Sequence, residues 1–290
     1  MKKIGIVTDS HCGISPAEGE KIGVRVIPMP LFIDNECFYE NVSITRDEFF
    51  EKIKSCDKLG TSQASPGEVT DVWNECLKEY ETILYMPISS GLSGACATAK
   101  LLASEEEFEG RVFVVDNGRI STPMHRSILD AVELIEKGMS AAEIRDILEA
   151  EGDNMSIYIA VETLEYLKKG GRISGATAAI GTMLDIKPIL RVSTGLLESH
   201  SKCRGSKKAR RMLIDEVKKD IETRFSDYSD DELHLLIASS ADEETTAKWV
   251  EQVQEAFPGK EILCDYLSLG ISCHTGGGAL GIGISCKPGK

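Results

Sequence analysis

"LYMPISSGLSGACATAK", residues 84–100, passes from an apolar run through serines and glycines into a string of small residues. Leu84, Met86 and Ile88 read as strand, and Gly94 to Leu102 as a small-residue helix. A strand that turns directly into a helix is the repeating unit of an α/β fold. The expected first amides of that helix face back toward Ser89, Ser90 and Ser93, an arrangement suited to an anion. The same residues serve equally well as ordinary caps and turns, so this loop alone leaves both readings open.

Working outward, the same alternation recurs. Apolar strands at 3–7, 24–29, 82–88 and 111–116 are separated by helices expected around 45–56, 65–80 and 94–104. Thr45 with Glu48 and Ser65 with Glu68 fit the capping box, and Pro66 stands at a first helical position. Residues 121–150 read as mostly helical. A second alternation starts at "SIYIAV" (156–161), continues through helices at 163–170 and near 174–184, and adds strands at 186–192, 195–199, 233–239, 261–267 and 278–285. The Gly-Asp-Asn turn at 152–154 divides the chain into two α/β domains, 1–153 and 154–290.

Composition narrows the function. Lys plus Arg number 33 against 47 Asp plus Glu, a net charge of −14, which argues against nucleic acid and against anionic membranes as general partners. The opening "MKKIGIVTDS" breaks at Asp9 before a signal-peptide core is complete, and no 18-residue apolar stretch follows. Nine cysteines without paired C-x-x-C spacing indicate reduced thiols rather than a disulfide or zinc framework. The expectation is a cytoplasmic protein with no stable membrane insertion, no metal and no cofactor.

Several stretches carry possible chemistry. "HTGGGALG" (274–281) contains a formal G-x-G-x-x-G, but too little chain follows for a βαβ unit, which argues against a dinucleotide site. His274 beside Cys273 and Ser272 admits a nucleophile–base reading, although the G-x-S-x-G elbow is missing. His11, His125, His200 and His234 read as solvated or packing residues. "TSQASPGE" (61–68) sets Thr61 and Ser62 just before a Pro-capped helix, "KKGGRISGA" (168–176) sets Arg172 at a Gly-Gly break, and "KCRGSKKARR" (202–211) forms a basic run. That run is either a solvated helix face or a docking patch for an acidic partner.

In order and spacing, "TDS" (8–10), "TSQASPGE", "SSGLSG" (89–94), "VD" (115–116), "GGRIS", "IKPIL" (186–190) and "HTGGGALG" resemble the DegV family along essentially the whole chain. The resemblance implies a two-domain, non-catalytic protein that binds a long-chain fatty acid between its domains and presents it to the catalytic subunit of a fatty acid kinase. It implies carboxylate binding by Thr61, Ser62, Ser93, Gly94 and His274, and partner docking by Arg172 and Arg204. Two positions depart from the family pattern: Ala64 and Ala95 stand where proline and threonine are frequent. A lipid sensor without a kinase partner, and a hydrolase or acyltransferase using Ser93 or Ser272 with His274, remain as alternatives.

Overall fold

The computed structural model describes residues 2–173, 185–193 and 195–289. The helix expected near 174–184 lies outside them. In the N-terminal half, β1 (Lys2–Asp9), β2 (Val24–Ile27), β6 (Tyr80–Met86) and β7 (Val112–Val114) form a parallel sheet in the order β2-β1-β6-β7. Ile6 and Leu84 pack on one face and Val7, Ile83 and Tyr85 on the other, so both faces are covered, as parallel sheets require. The expected capping boxes at Thr45 and Ser65 are present at α2 (Arg46–Lys52) and α3 (Pro66–Cys76). Both helices end before the expected boundaries: the amides of Ile53 and Leu77 close the last turns, and Tyr80 already belongs to β6.

Two elements lie outside the expectations from sequence: α1 (Pro16–Ile22) and a small antiparallel sheet. Ser15 and Glu18 make a capping box for α1. The sheet, ordered β4-β3-β5, comprises β3 (Pro30–Ile33), β4 (Glu36–Tyr39) and β5 (Leu59–Thr61). Asp34 and Asn35, with φ of 50° and 73°, form the two-residue turn between β3 and β4. Positive φ at both central positions is what such a hairpin needs, and Asp and Asn tolerate it best after glycine.

The remaining helices of this half are α4 (Ala95–Ala103), α5 (Ser121–Glu136) and α6 (Ala141–Ala150). A turn at 151–154 leads into the second sheet. Its order is β10-β9-β8-β13-β11-β12, made of β8 (Met155–Ala160), β9 (Ile186–Ser193), β10 (Leu196–Arg204), β11 (Leu233–Ser239), β12 (Ile262–Tyr266) and β13 (Leu280–Cys286). Strand β8 is buried on both faces. Tyr158 and Ala160 join the core beneath α8 (Ser206–Thr223) and α9 (Glu243–Ala256), while Ile159 joins the opposite cluster with Leu190, Leu267 and Ile271. The period of two thus assigns one face of this strand to stability and leaves the other facing the first half of the chain.

Between β12 and β13 lies α10 (Leu269–Thr275), a short helix where the sequence reading placed a loop. Ser268 caps its start and Gly276, with φ 73°, ends it. Leu269 and Cys273 of α10 pack into the cluster formed by Leu31, Ile33, Ile44, Phe49 and Ile53. The small sheet of the N-terminal half therefore grips a helix of the C-terminal half. Short helix α7 (Glu165–Lys169) also packs on α10.

Candidate functional site

The strand order β2-β1-β6-β7 reverses between β1 and β6, and the crevice beyond the carboxyl ends of two such strands is where open α/β sheets bind ligands. A cavity of about 280 Å³ occupies that position. His11, from the turn after β1, and Ile88, Leu92, Ser93 and Gly94, from the loop after β6, line it from one side. Ile157, Ile159, Val192, Leu197, Ala238 and Ile271 line it from the second sheet and α10. Most of the wall is apolar, and the polar groups gather where β5, the 89–94 loop and α10 meet.

The serines of that loop have separate tasks. Ser89 is buried, and its hydroxyl donates to Gly195 O (2.8 Å) across to the β9–β10 turn. Gly91 tolerates no side chain there, because a Cβ would stand 2.5 Å from Gly195 O. Ser90 is exposed, and its amide donates to Asp116 Oδ1 (3.3 Å). Ser93 alone of the three serines lines the cavity, with its Oγ accepting from Ala95 N (3.2 Å). One serine thus fastens the loop while another is left facing the cavity.

Thr61, at the end of β5, lies 2.8 Å from His274 Nε2 through its Oγ1. His274 sits in the last turn of α10, and its Nδ1 is buried without a hydrogen-bond partner among the described residues. Burial, with Arg172 and His11 nearby, lowers the imidazole pKa to about 4, so the ring is neutral at pH 7. Ser62 and Gln63 continue the polar rim, and Gln63 Nε2 donates to Thr98 Oγ1 (3.0 Å). Thr61, Ser62, Ser93, Gly94 and His274 therefore all line this cavity, as does the exposed Arg172. Arg204 stands apart, exposed at the end of β10 and outside this lining.

The hydrolase alternative pairs Ser93 or Ser272 with His274, and among the described residues neither serine hydroxyl is hydrogen-bonded to that ring. Ser272 is fully buried with its hydroxyl directed at Leu267 O (3.4 Å), and His274 Nε2 is engaged with Thr61 rather than with a serine. The sequence reading missed His11, which lines the cavity instead of merely packing, and also Gln63 and Ser121. The available signal was position: His11 follows β1 directly, at the carboxyl edge of the parallel sheet.

Two further depressions share lining residues with this cavity. Leu92, Arg172 and Leu197 also border an outer depression of about 530 Å³, and Ile157 and Val192 border another near Arg191 and Arg224. A separate cleft of about 280 Å³ between the two halves is lined by Glu18, Glu40, Arg46, Asp265, Tyr266 and Ser268. There Glu40 Oε2 accepts from Leu269 N (2.8 Å), and Arg46 donates to Ala241 O (2.9 Å). The Arg46 guanidinium lies 4.8 Å from the ring centre of Phe50 and 4.2 Å from that of Tyr266, while His125 meets Asp265 at 3.0 Å. Among the described residues no cluster of three or more His, Cys, Asp or Glu side chains is arranged to hold a metal, and no helix is long and apolar enough to cross a membrane.

Comparison with known proteins agrees with the sequence motifs. The model of the family described as "Uncharacterised protein, DegV family" matches residues 3–287. A DegV domain-containing protein of Clostridium perfringens is 31% identical over 97% of each chain. The structure of a fatty acid binding DegV family protein from Thermus thermophilus is 33% identical, covers 98% of this chain and 99% of its own, and superposes with a TM-score of 0.87. DegV of Bacillus subtilis, a fatty acid binding protein, is 27% identical, covers 99% of this chain and all of its own, and gives a TM-score of 0.84. With the mixed α/β fold and the motif order in agreement over nearly the whole length, this chain belongs to the DegV family.

Proposed function

We propose that the protein binds a long-chain fatty acid in the cavity beyond β1 and β6 and presents its carboxylate to a fatty acid kinase partner, which converts it to an acyl phosphate. The observation that carries this reading is a largely apolar cavity whose lining includes the hydroxyl-bearing Thr61, Ser62 and Ser93. Its similarity to the fatty acid binding proteins of Thermus thermophilus and Bacillus subtilis supports the same ligand class. Residues 1–153 and 154–290 act in this reading as two domains that enclose the acyl chain.

The energetics suit such a ligand. About fifteen methylenes at roughly 0.8 kcal/mol each give on the order of 12 kcal/mol of gross transfer free energy, from which the costs of association are subtracted. A cavity of about 280 Å³ lies near the lower end of the range for ligand pockets, so the acyl chain also uses the adjoining depressions. At the polar end, the tautomer that protonates Nε2 lets His274 donate to Thr61 Oγ1 across their 2.8 Å contact, and the Thr61 hydroxyl hydrogen is then free for the carboxylate. Ser93 adds a second hydroxyl donor, and Ser62, whose hydroxyl donates to Gln63 O (3.1 Å), adds a third on turning to the anion. Hydroxyl donors hold the anion without neutralising it, leaving an oxygen able to attack a phosphoryl group.

Arg172, on both the cavity wall and the outer depression, and Arg204 serve the partner and the nucleotide rather than the acyl chain. A chain of net charge −14 otherwise repels both. The protein acts in the cytoplasm as a carrier, not as the catalyst. Mass spectrometry of lipid extracted from gently purified protein tests the ligand, and a kinase assay on Arg172→Lys and Arg204→Lys tests the docking role. The reading expects a long-chain fatty acid in the extract and impaired phosphorylation in both variants, because lysine lacks the planar donor set. An extract free of amphiphiles, with no uptake by delipidated protein, contradicts it.

A further inference from the structure

His11 on the cavity wall forms, with Asp9 buried behind it, a polar pair that carboxylate binding does not use. Asp9 is fully buried; its Oδ1 accepts from His11 N (2.9 Å) and its Oδ2 from Ile88 N (2.8 Å). With the carboxylate cast as acceptor, the hydrogen of the 2.9 Å contact between His11 Nδ1 and Asp9 Oδ1 sits on the imidazole. The ring is thereby oriented, and in the neutral imidazole Nε2 is left as an acceptor. The His11 side chain is 10% exposed and lines the cavity, yet Nε2 has no hydrogen-bond partner among the described residues. The ring lies against Gly270, where a Cβ would stand 2.9 Å from Nε2. Ser121, 3% exposed on the same lining, has a hydroxyl that is likewise without a partner.

We propose that the Asp9–His11 pair selects acyl chains bearing a hydroxyl group, which donates to His11 Nε2 inside the cavity. This inference rests on the fatty-acid reading and narrows its ligand class. A plain methylene chain passing His11 strips water from Nε2 and returns nothing, whereas a hydroxyl restores the lost hydrogen bond. A hydroxyl also accepts, and Ser121 supplies an unused donor on the same cavity. Sites built around a buried hydrogen-bonding group discriminate against the analogue that lacks its partner. The preference falls on hydroxylation within one narrow stretch of the chain, because Asp9 fixes the imidazole.

The test titrates delipidated protein with stearate and with stearates hydroxylated at successive carbons, alongside His11→Leu and Ser121→Gly. In wild-type protein, hydroxylation within one short stretch tightens binding about tenfold over stearate. His11→Leu inverts the order, binding stearate severalfold more tightly than before and every hydroxystearate more weakly than stearate; Ser121→Gly reduces the preference in part. If wild-type protein ranks stearate above every hydroxylated isomer, the inference is overturned while the fatty-acid reading stands. If neither ligand set binds, both fall. The deciding comparison is made on wild-type protein and does not depend on a variant folding.

Discussion

Two clefts of about 280 Å³ each lie between the N- and C-terminal halves of the chain, and their linings are opposite in kind. In the cleft around Arg46, principal polar groups find partners across the seam: Glu40 with the Leu269 amide, Arg46 with Ala241 O, His125 with Asp265. Burial raises the Glu40 carboxyl pKa, and the hydrogen bond from Leu269 opposes the rise. In the cleft beyond β1 and β6, aliphatic side chains form most of the wall, and His274 Nδ1 and Ser121 Oγ lack partners among the described residues. Equal volume therefore does not imply equal purpose. A cleft whose polar groups satisfy one another joins two parts of a protein, whereas one that leaves an apolar wall bare and buried polar atoms unpaired is completed by a ligand.

The sharpest way to break this comparison is to fill each cleft. Ile159→Trp projects an indole into the apolar cavity and should abolish measurable stearate binding, whereas Cys264→Phe in the polar cleft should leave affinity within about twofold. Calorimetric titration of both variants decides it. Equal losses would mean that the two clefts are not separate in function.

The next effect is on stability. The unfolded His274 imidazole titrates near 6.5 and the folded one near 4. Between those values the unfolded chain holds a proton that the folded chain does not, so acidification from pH 6.5 to 4 removes stability, on the order of 3 kcal/mol from this group. His234, also lowered to about 4 by burial, acts in the same direction, while Asp130, raised to about 6, opposes it because its folded carboxyl takes up a proton first. The difference between wild type and His274→Gln isolates the contribution. Urea unfolding across this range should show a shallower pH slope in the variant, and identical slopes would place the ring in water.

Smaller changes separate the carboxylate end from the seam. Ser93→Ala removes a donor to a charged acceptor and should weaken fatty acid binding by roughly 1.5–3 kcal/mol, as measured by ligand displacement. Arg46→Lys should leave that affinity unchanged and cost about 1 kcal/mol of stability through lost stacking on Phe50 and Tyr266. If Arg46→Lys shifts affinity as much as Ser93→Ala, the seam is part of the binding site.

How much of this was legible in the sequence depended on whether the signal was local. The capping boxes at Thr45 and Ser65 and the apolar runs of β1, β6, β8 and β11 announce themselves within a few residues. The small sheet was harder, because its signal is one Asp-Asn turn and its stability comes from packing on α10, far along the chain. His274 was singled out as a loop residue, but its helix forms only where Leu269 and Cys273 find that distant cluster. His11 looked ordinary because nothing adjacent to it shows that β6, α10 and the second sheet converge around it. Arg204 was chosen by motif, and it lies on the surface away from the cavity, so a role there depends on a partner.

The most direct test of the central claim is titration of delipidated wild-type protein with stearate, with Ile159→Trp measured beside it. The account predicts one fatty acid per chain at submicromolar affinity in the wild type and no saturable uptake in Ile159→Trp. No uptake by either protein, or equal uptake by both, would contradict it.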